Sequence, residues 1–353
     1  MLVMLATLLV LLIVSELTFR LLGSNLGVDS DQLARVRRYV QEGSKHYEPR
    51  PHTSYGLRRR GRVNSLGFSG DEWDYEKTPG VPRILCLGAS TTQGGSAAGL
   101  AGSYPFLLEA GLEAHTGWDF EVLNAGVSGW TTSETLVTWF LLLRDFEPDL
   151  IIIHHAVNDV EARTTPGFRP DYLHWRTEWD PPQYSALHVS LVGWSSLYAW
   201  LTMGKVEVDL MGVTTTRGRG VRGQVDLTVD TARSFGRNIA VIGEDANRIG
   251  ASVMLMTMPF YAPKGSPVRK VGVAQHNEIM RELCVEKGWM LADPALLIGD
   301  KQTRTLDTVF LDGVHVGVEG NLVKARMAAD VLEKAWLPTL DAAAENPEFG
   351  SNR

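Results

Sequence analysis

RILCLGASTTQGG, residues 83–95, decides how the chain is read. Its first six residues are an apolar run ending in Gly, the pattern of a buried strand, and a small-residue turn then leads into a helical pattern. Three motifs compete for such a turn. A phosphate-cradling loop needs GxxxxGK followed by Ser or Thr, but Gln93 stands five residues beyond Gly88 and no Lys follows. A dinucleotide fingerprint needs GxGxxG, but Ser90 stands two residues beyond Gly88. What is left is a serine just past the C-terminal end of a strand, where open α/β sheets place their sites. Its hydroxyl is exposed there, and the following N–H groups face any anion that forms. It needs a base, because a free serine hydroxyl is a weak nucleophile.

Outward from this stretch the same form repeats. FEVLNAG (120–126), DLIIIHHA (149–156), SVMLMTMP (252–259) and WMLAD (289–293) are short apolar runs. Helical patterns at 105–116, 133–146, 230–249, 273–288 and 319–336 alternate with them. In the last of these, Leu322, Ala325, Ala329, Leu332 and Trp336 recur on one face. Continuously apolar strands alternating with helices predict a parallel sheet covered on both sides, a three-layer α/β/α domain.

One gap exceeds a connection. From Asp159 to about residue 229 the sequence is loop-like and holds Trp175, Trp179, Trp194 and Trp200. It reads as an insertion packed over the C-terminal edge of the sheet, its tryptophans serving as packing residues or, alternatively, as a substrate wall. RGRGVRG (217–223) within it reads as a flexible loop rather than an RNA-binding tract. The chain carries a net charge of −7, which argues against a nucleic-acid partner, since phosphate contacts need a basic surface. The proportions of 44% hydrophobic and 21% charged residues exclude a disordered or fibrous chain. Cys86 and Cys284 make neither a disulfide framework nor a metal spacing.

A base for Ser90 lies far downstream in FLDGVH (310–315), where Asp312 precedes His315 by three residues, so a turn brings the carboxylate against the imidazole. His154 and His155 point to opposite faces of a strand, so at least one is core, and His276 reads as a surface or packing residue on a helix. These histidines lack the ligand spacing of a metal site, and no cofactor is implied. Acyl transfer also needs oxyanion donors. Besides the Ser90 N–H, NAGVSG (124–129) offers the Gly126 N–H and AVND (156–159) offers the Asn158 amide.

Taken in order, these blocks resemble the SGNH (GDSL-type) hydrolase superfamily. LGASTTQG is similar to its first block, with Ser90 as nucleophile, and NAGVSG to its second, with Gly126 as oxyanion donor. HAVND is similar to the third, with Asn158 as the other donor, and DGVH to the last, with Asp312 and His315. Ala89 stands where GDSL has Asp, Thr91 where it has Leu, and Ala156 where the third block has Gly, and none of these removes a catalytic group. NSLGFSG (64–70) resembles a segment that precedes the first block in membrane-anchored members. The resemblance implies a flavodoxin-like five-stranded parallel sheet in the order 2-1-3-4-5, and a serine esterase.

The N-terminal run LVMLATLLVLLIV (2–14) continues to Gly23, and residues 2–22 as a helix span about 30 Å, just enough for a bilayer core. An uncleaved anchor is the preferred reading, a signal peptide the competing one and a buried soluble helix the third, though no basic residue precedes the run and no A-x-A follows it. Arg20, Arg35, Arg37 and Arg38 follow it, which by the positive-inside rule keeps the body cytoplasmic. That stands against the extracytoplasmic placement that the resemblance to anchored members implies. Residues 24–82 form a linker with a basic cluster at Arg58, Arg59, Arg60 and Arg62. The hydrolase domain follows at 83–340, with the insertion at 160–229 and a tail at 341–353. The expected substrate is an ester, an O-acetyl or acyl group of a carbohydrate or envelope polymer. The alternatives are a lipid-directed esterase and a non-catalytic scaffold subunit of a membrane assembly.

Overall fold

The five apolar runs become five strands, β1 (Arg83–Gly88), β2 (Glu121–Gly126), β3 (Leu150–His154), β4 (Ser252–Met256) and β5 (Met290–Ala292). All pair in parallel, in the order β2-β1-β3-β4-β5. Every residue of β1 and β3 is buried, as a sheet covered on both faces demands. Gly88 is in register with both Gly126 and His154, so the C-terminal ends of β1, β2 and β3 lie level and deliver their loops to one edge. The expected fold class and strand order are both observed.

The computed structural model describes residues 2–22, 33–34, 36–37, 40, 47–50, 54–57, 62–94, 99–176, 184–203, 227–299 and 309–340. Its main helices are α1 (Leu2–Leu22), α2 (Ser90–Gln93), α3 (Tyr104–Thr116), α4 (Thr132–Leu141), α5 (Val157–Thr164), α6 (Ala186–Trp194), α7 (Ser196–Met203), α8 (Val229–Arg248), α9 (Pro267–Lys287) and α10 (Val318–Ala335). α9 begins six residues before the pattern at 273, because Ser266 caps it and Pro267 occupies its first turn. Where the sequence reads as loop between 159 and 229, the described residues include α5, a turn of helix at Leu173–Arg176, α6 and α7. Trp179, Arg58 to Arg60, residues 217–223 and the tail at 341–353 lie outside the described residues.

The chain divides into two compact units, residues 1–48 with 179–223, and residues 49–178 with 224–353. The second holds the sheet. On one face Ile84, Cys86, Leu150, Ile152, Met254 and Met256, alternate residues of three strands, pack against Leu108 and Leu112 of α3 and Ala325, Ala328 and Leu332 of α10. The other face is covered by α4, α8 and α9, with Phe235, Ile239 and Ile242 of α8 fully buried.

The first unit has its own small core of Val36, Val40, Val192 and Ala199. Polar groups stitch α1 to the corner between α6 and α7. Glu16 accepts from Ser195 Oγ and from the N–H groups of Ser196 and Leu197 at the start of α7, while Arg20, paired with Glu16, donates to the Trp194 carbonyl that ends α6. Carboxylate and guanidinium thus meet the helix ends that their charges favour. Among the described residues no helix is long and apolar enough to cross a membrane. This corrects the expectation of a spanning helix. Residues 2–14 form an apolar segment of only about 20 Å, against a bilayer core of about 30 Å, and the turns after it carry the engaged Glu16 and Arg20.

Candidate active site

β1 ends in Gly88, and the chain folds back so sharply into α2 that a Cβ on Gly88 would lie 1.9 Å from Thr92 Oγ1. Only glycine allows that approach. Ser90 therefore opens α2 at the level edge of the sheet, where the first N–H groups of a helix have no intrahelical partner. Two side chains tie α2 to β2 and the turn after it. The Asn124 amide donates to Thr92 O at 3.1 Å, and Gln93 Oε1 accepts from the N–H and hydroxyl of Ser128 at 2.9 and 2.7 Å.

His315 reaches this serine from the loop before α10. Its Nε2 lies 2.8 Å from Ser90 Oγ, and its Nδ1 lies 2.6 Å from Asp312 Oδ2. Asp312 Oδ1 accepts from the N–H groups of Val314 and His315, at 2.7 and 2.8 Å. Burial pushes the Asp312 carboxyl up, but the His315 imidazole and these two N–H groups outweigh it and hold the carboxyl at about 2. An ionised carboxylate only accepts, so the proton of the neutral ring sits on Nδ1 and Nε2 presents its lone pair to the Ser90 hydroxyl. The loop is pinned by Gly313, whose Cβ would meet Gly265 Cα at 2.7 Å, and by a bond from Tyr261 N–H to Gly313 O.

Asn158, in the first turn of α5, donates through Nδ2 to the Trp130 carbonyl at 2.8 Å, which orients its amide and leaves a second N–H on the same nitrogen. Trp130 is itself seated by Phe68 of NSLGFSG in an edge-to-face contact, and Phe68 stacks on Trp73. Gly126 does something other than expected. Its N–H donates to Asn124 Oδ1 at 3.0 Å, and a Cβ on it would come within 2.3 Å of Gln93 N. In the structure Gly126 is the floor on which α2 rests, not a donor aimed outward. The next glycine of the block, Gly129, takes φ 79 in the turn that presents Trp130 to Asn158.

Asp159 is a second omission. It is fully buried beside Asn158, and its carboxylate takes the Thr132 N–H at the start of α4 along with the Thr132 hydroxyl. Burial raises it to about 7 against these bonds. Its adjacency to Asn158 was legible, but its partner at residue 132 was not.

Both His154 and His155 are buried, on opposite faces, bonded to Met256 O and Thr135 Oγ1 respectively. His276 is a packing residue stacked on Phe235, with Nδ1 donating to Ala156 O and Nε2 accepting from Arg163. Burial holds its imidazole down at about 3. No cluster of His, Cys, Asp and Glu that could hold a metal is found among the described residues. Trp175 is buried with Tyr172 and Ala162, whereas Trp194 is 84% exposed.

The profile of the GDSL-like Lipase/Acylhydrolase family matches residues 86–323. No relative is found among curated proteins. Similar solved structures include LAE5, an alpha/beta hydrolase from the metagenome of Lake Arreo, at 16% identity and TM-score 0.45, covering 73% of this chain and 96% of that one. A lipase/acylhydrolase from Enterococcus faecalis is 14% identical, with TM-score 0.45, over 72% of this chain and 96% of its own. The acetylxylan esterase Axe2 from Geobacillus stearothermophilus is 17% identical, with TM-score 0.45, over 71% and 94%.

Proposed function

Because the chain belongs to the GDSL-like lipase/acylhydrolase family and is an ester-cleaving enzyme of that type, we propose that Ser90, His315 and Asp312 carry the reaction. The observation behind this reading is the unbroken hydrogen-bonded series from Ser90 Oγ through His315 to Asp312. Ser90 Oγ attacks the ester carbonyl as His315 Nε2 takes its proton. His315 then gives that proton to the leaving alcohol, and water repeats the sequence on the acyl-enzyme. Asp312 holds the ring in the tautomer required and offsets the charge of the imidazolium. The Ser90 N–H and the second N–H of Asn158 stabilise the oxyanion. The Gly126 N–H, expected as a further donor, is committed to Asn124.

The substrate class in this reading is an O-acyl ester on a carbohydrate or envelope polymer, acted on outside the cytoplasm. Purified protein is to be offered short p-nitrophenyl esters, acetylated polysaccharides and a fluorophosphonate probe. Hydrolysis with labelling at Ser90 is expected. Absence of both overturns the mechanism, and indifference to acetylated polymers overturns the substrate class. Fusions carrying a reporter active on one side of the membrane test the placement.

One observation favours a lipid-directed esterase instead. In the first unit Val10, Leu11, Leu12, Ile13 and Val14 are each at least half exposed. Five consecutive helical positions point in every direction, so no single groove covers them, whereas acyl chains do. Rates that climb with acyl-chain length and on vesicles would decide for it.

A further inference from the structure

Lys324 is a charged residue that the proposed chemistry leaves unused. It lies on α10, one residue beyond the segment matched by the family profile, and is 1% exposed. Its helix neighbours Ala325, Ala328 and Leu332 belong to the apolar cluster beneath the sheet. Among the described residues Nζ donates to a single acceptor, the carbonyl of Thr91, at 2.9 Å, and stands 5.1 Å from the centre of the Tyr104 ring. Tyr104 of α3 and His154 of β3 lie near it, and burial keeps both neutral. Among the described residues it has no carboxylate partner, and burial alone draws its ammonium down from 10.5 to about 7.

A methionine or leucine at this place would be favourable for the fold, because a buried cation without a counter-charge costs stability. What the lysine does contact is the residue immediately after Ser90. The Thr91 carbonyl is drawn down onto Nζ, while the N–H groups of Thr92 and Gln93 on the other side of the turn are held by Ala89 O. The peptide planes that follow Ser90 are thereby fixed from both sides. Asn124 and Gln93 brace α2 against β2, but only Lys324 reaches it from α10.

We propose that Lys324 is a positioning residue for the nucleophile, its Nζ holding the Thr91 carbonyl beneath Ser90 so that Oγ stays aligned on His315 Nε2. This rests on the reading of Ser90 as nucleophile. A buried lysine at this place trades stability for alignment, so activity and stability respond to its loss with opposite signs.

The test is Lys324→Met, which keeps the length and apolar stem and removes the charge and the donor. Expected are a kcat lower by roughly 10- to 100-fold, the scale of a small misplacement at a reacting centre, and a KM within about threefold of wild type. Fluorophosphonate labelling of Ser90 slows by a similar factor. The melting temperature rises. Equal kcat in the variant overturns the proposal. So does a joint loss of kcat and melting temperature, or a variant that fails to fold, since either makes Lys324 a residue of the fold rather than of alignment. A wild type that neither cleaves esters nor labels at Ser90 overturns the hydrolase reading together with this one. An active wild type with an equally active Lys324→Met overturns this one alone.

Discussion

The Ser90 hydroxyl lies 2.8 Å from Nε2 of His315, a residue 225 positions further along the chain. Two groups acting as a unit are not additive when removed. Ser90→Ala and His315→Ala should each lower kcat by several orders of magnitude. The double variant should be hardly worse than either single one, measured by p-nitrophenyl acetate hydrolysis. A double variant that loses the product of both factors would show that the two residues act independently.

Asp312 gives a pH signature. Its carboxyl is held at about 2 in the fold against an ordinary 3.8. A depressed carboxyl stabilises the fold fully above about pH 4, and that contribution is lost as pH falls towards 2. The melting-temperature difference between wild type and Asp312→Asn should therefore shrink across that window. At neutral pH the same variant should lose roughly 10³- to 10⁴-fold in kcat, by analogy with other triads in which the imidazole loses its orienting acid.

Asp159 works in the opposite direction. Burial raises it from 3.8 to about 7. Its contribution is therefore complete below about pH 4 and is lost as pH rises through 7. Melting curves of wild type should fall between pH 4 and pH 7 relative to those of Asp159→Asn, whose amide stays neutral. A difference that stays flat over this range would contradict the raised carboxyl.

Gly126 and Asn158 separate fold from chemistry. Gly126→Ala drives a Cβ to 2.3 Å from the backbone nitrogen of Gln93, and overpacking of this kind costs about 1–3 kcal/mol. Its melting temperature and activity should fall together. Asn158→Ala removes a donor from a site already formed, so kcat should fall roughly 10²- to 10³-fold with the melting temperature nearly kept.

The sheet was legible because its strands are buried on both faces and carry an unbroken apolar signal, as in LIIIH of β3. Helix starts were legible only where pattern and cap coincide. α9 opens at Ser266 and Pro267, before its apolar periodicity is established. Ser90, Asp312, His315 and Asn158 could be located because each sits at a strand end or in a short turn with its partner close by or its role set by its type. The commitment of the Gly126 N–H could not be read, since it depends on Asn124 folding back on its own strand. Asp159 and Lys324 were invisible for another reason. Their partners, Thr132 and Thr91, are brought to them by helix packing alone.

The clip between α1 and the corner of α6 and α7 bears on how the protein is to be handled. Trimming the first 22 residues, a common step to improve solubility, would discard Glu16 and Arg20. The leading N–H groups of α7 and the Trp194 carbonyl would lose the partners they have now. Such a shortened chain would shed greasy surface and at the same time open a seam between two short helices. A gentler route keeps α1 whole and recolours only its outward leucines with polar residues.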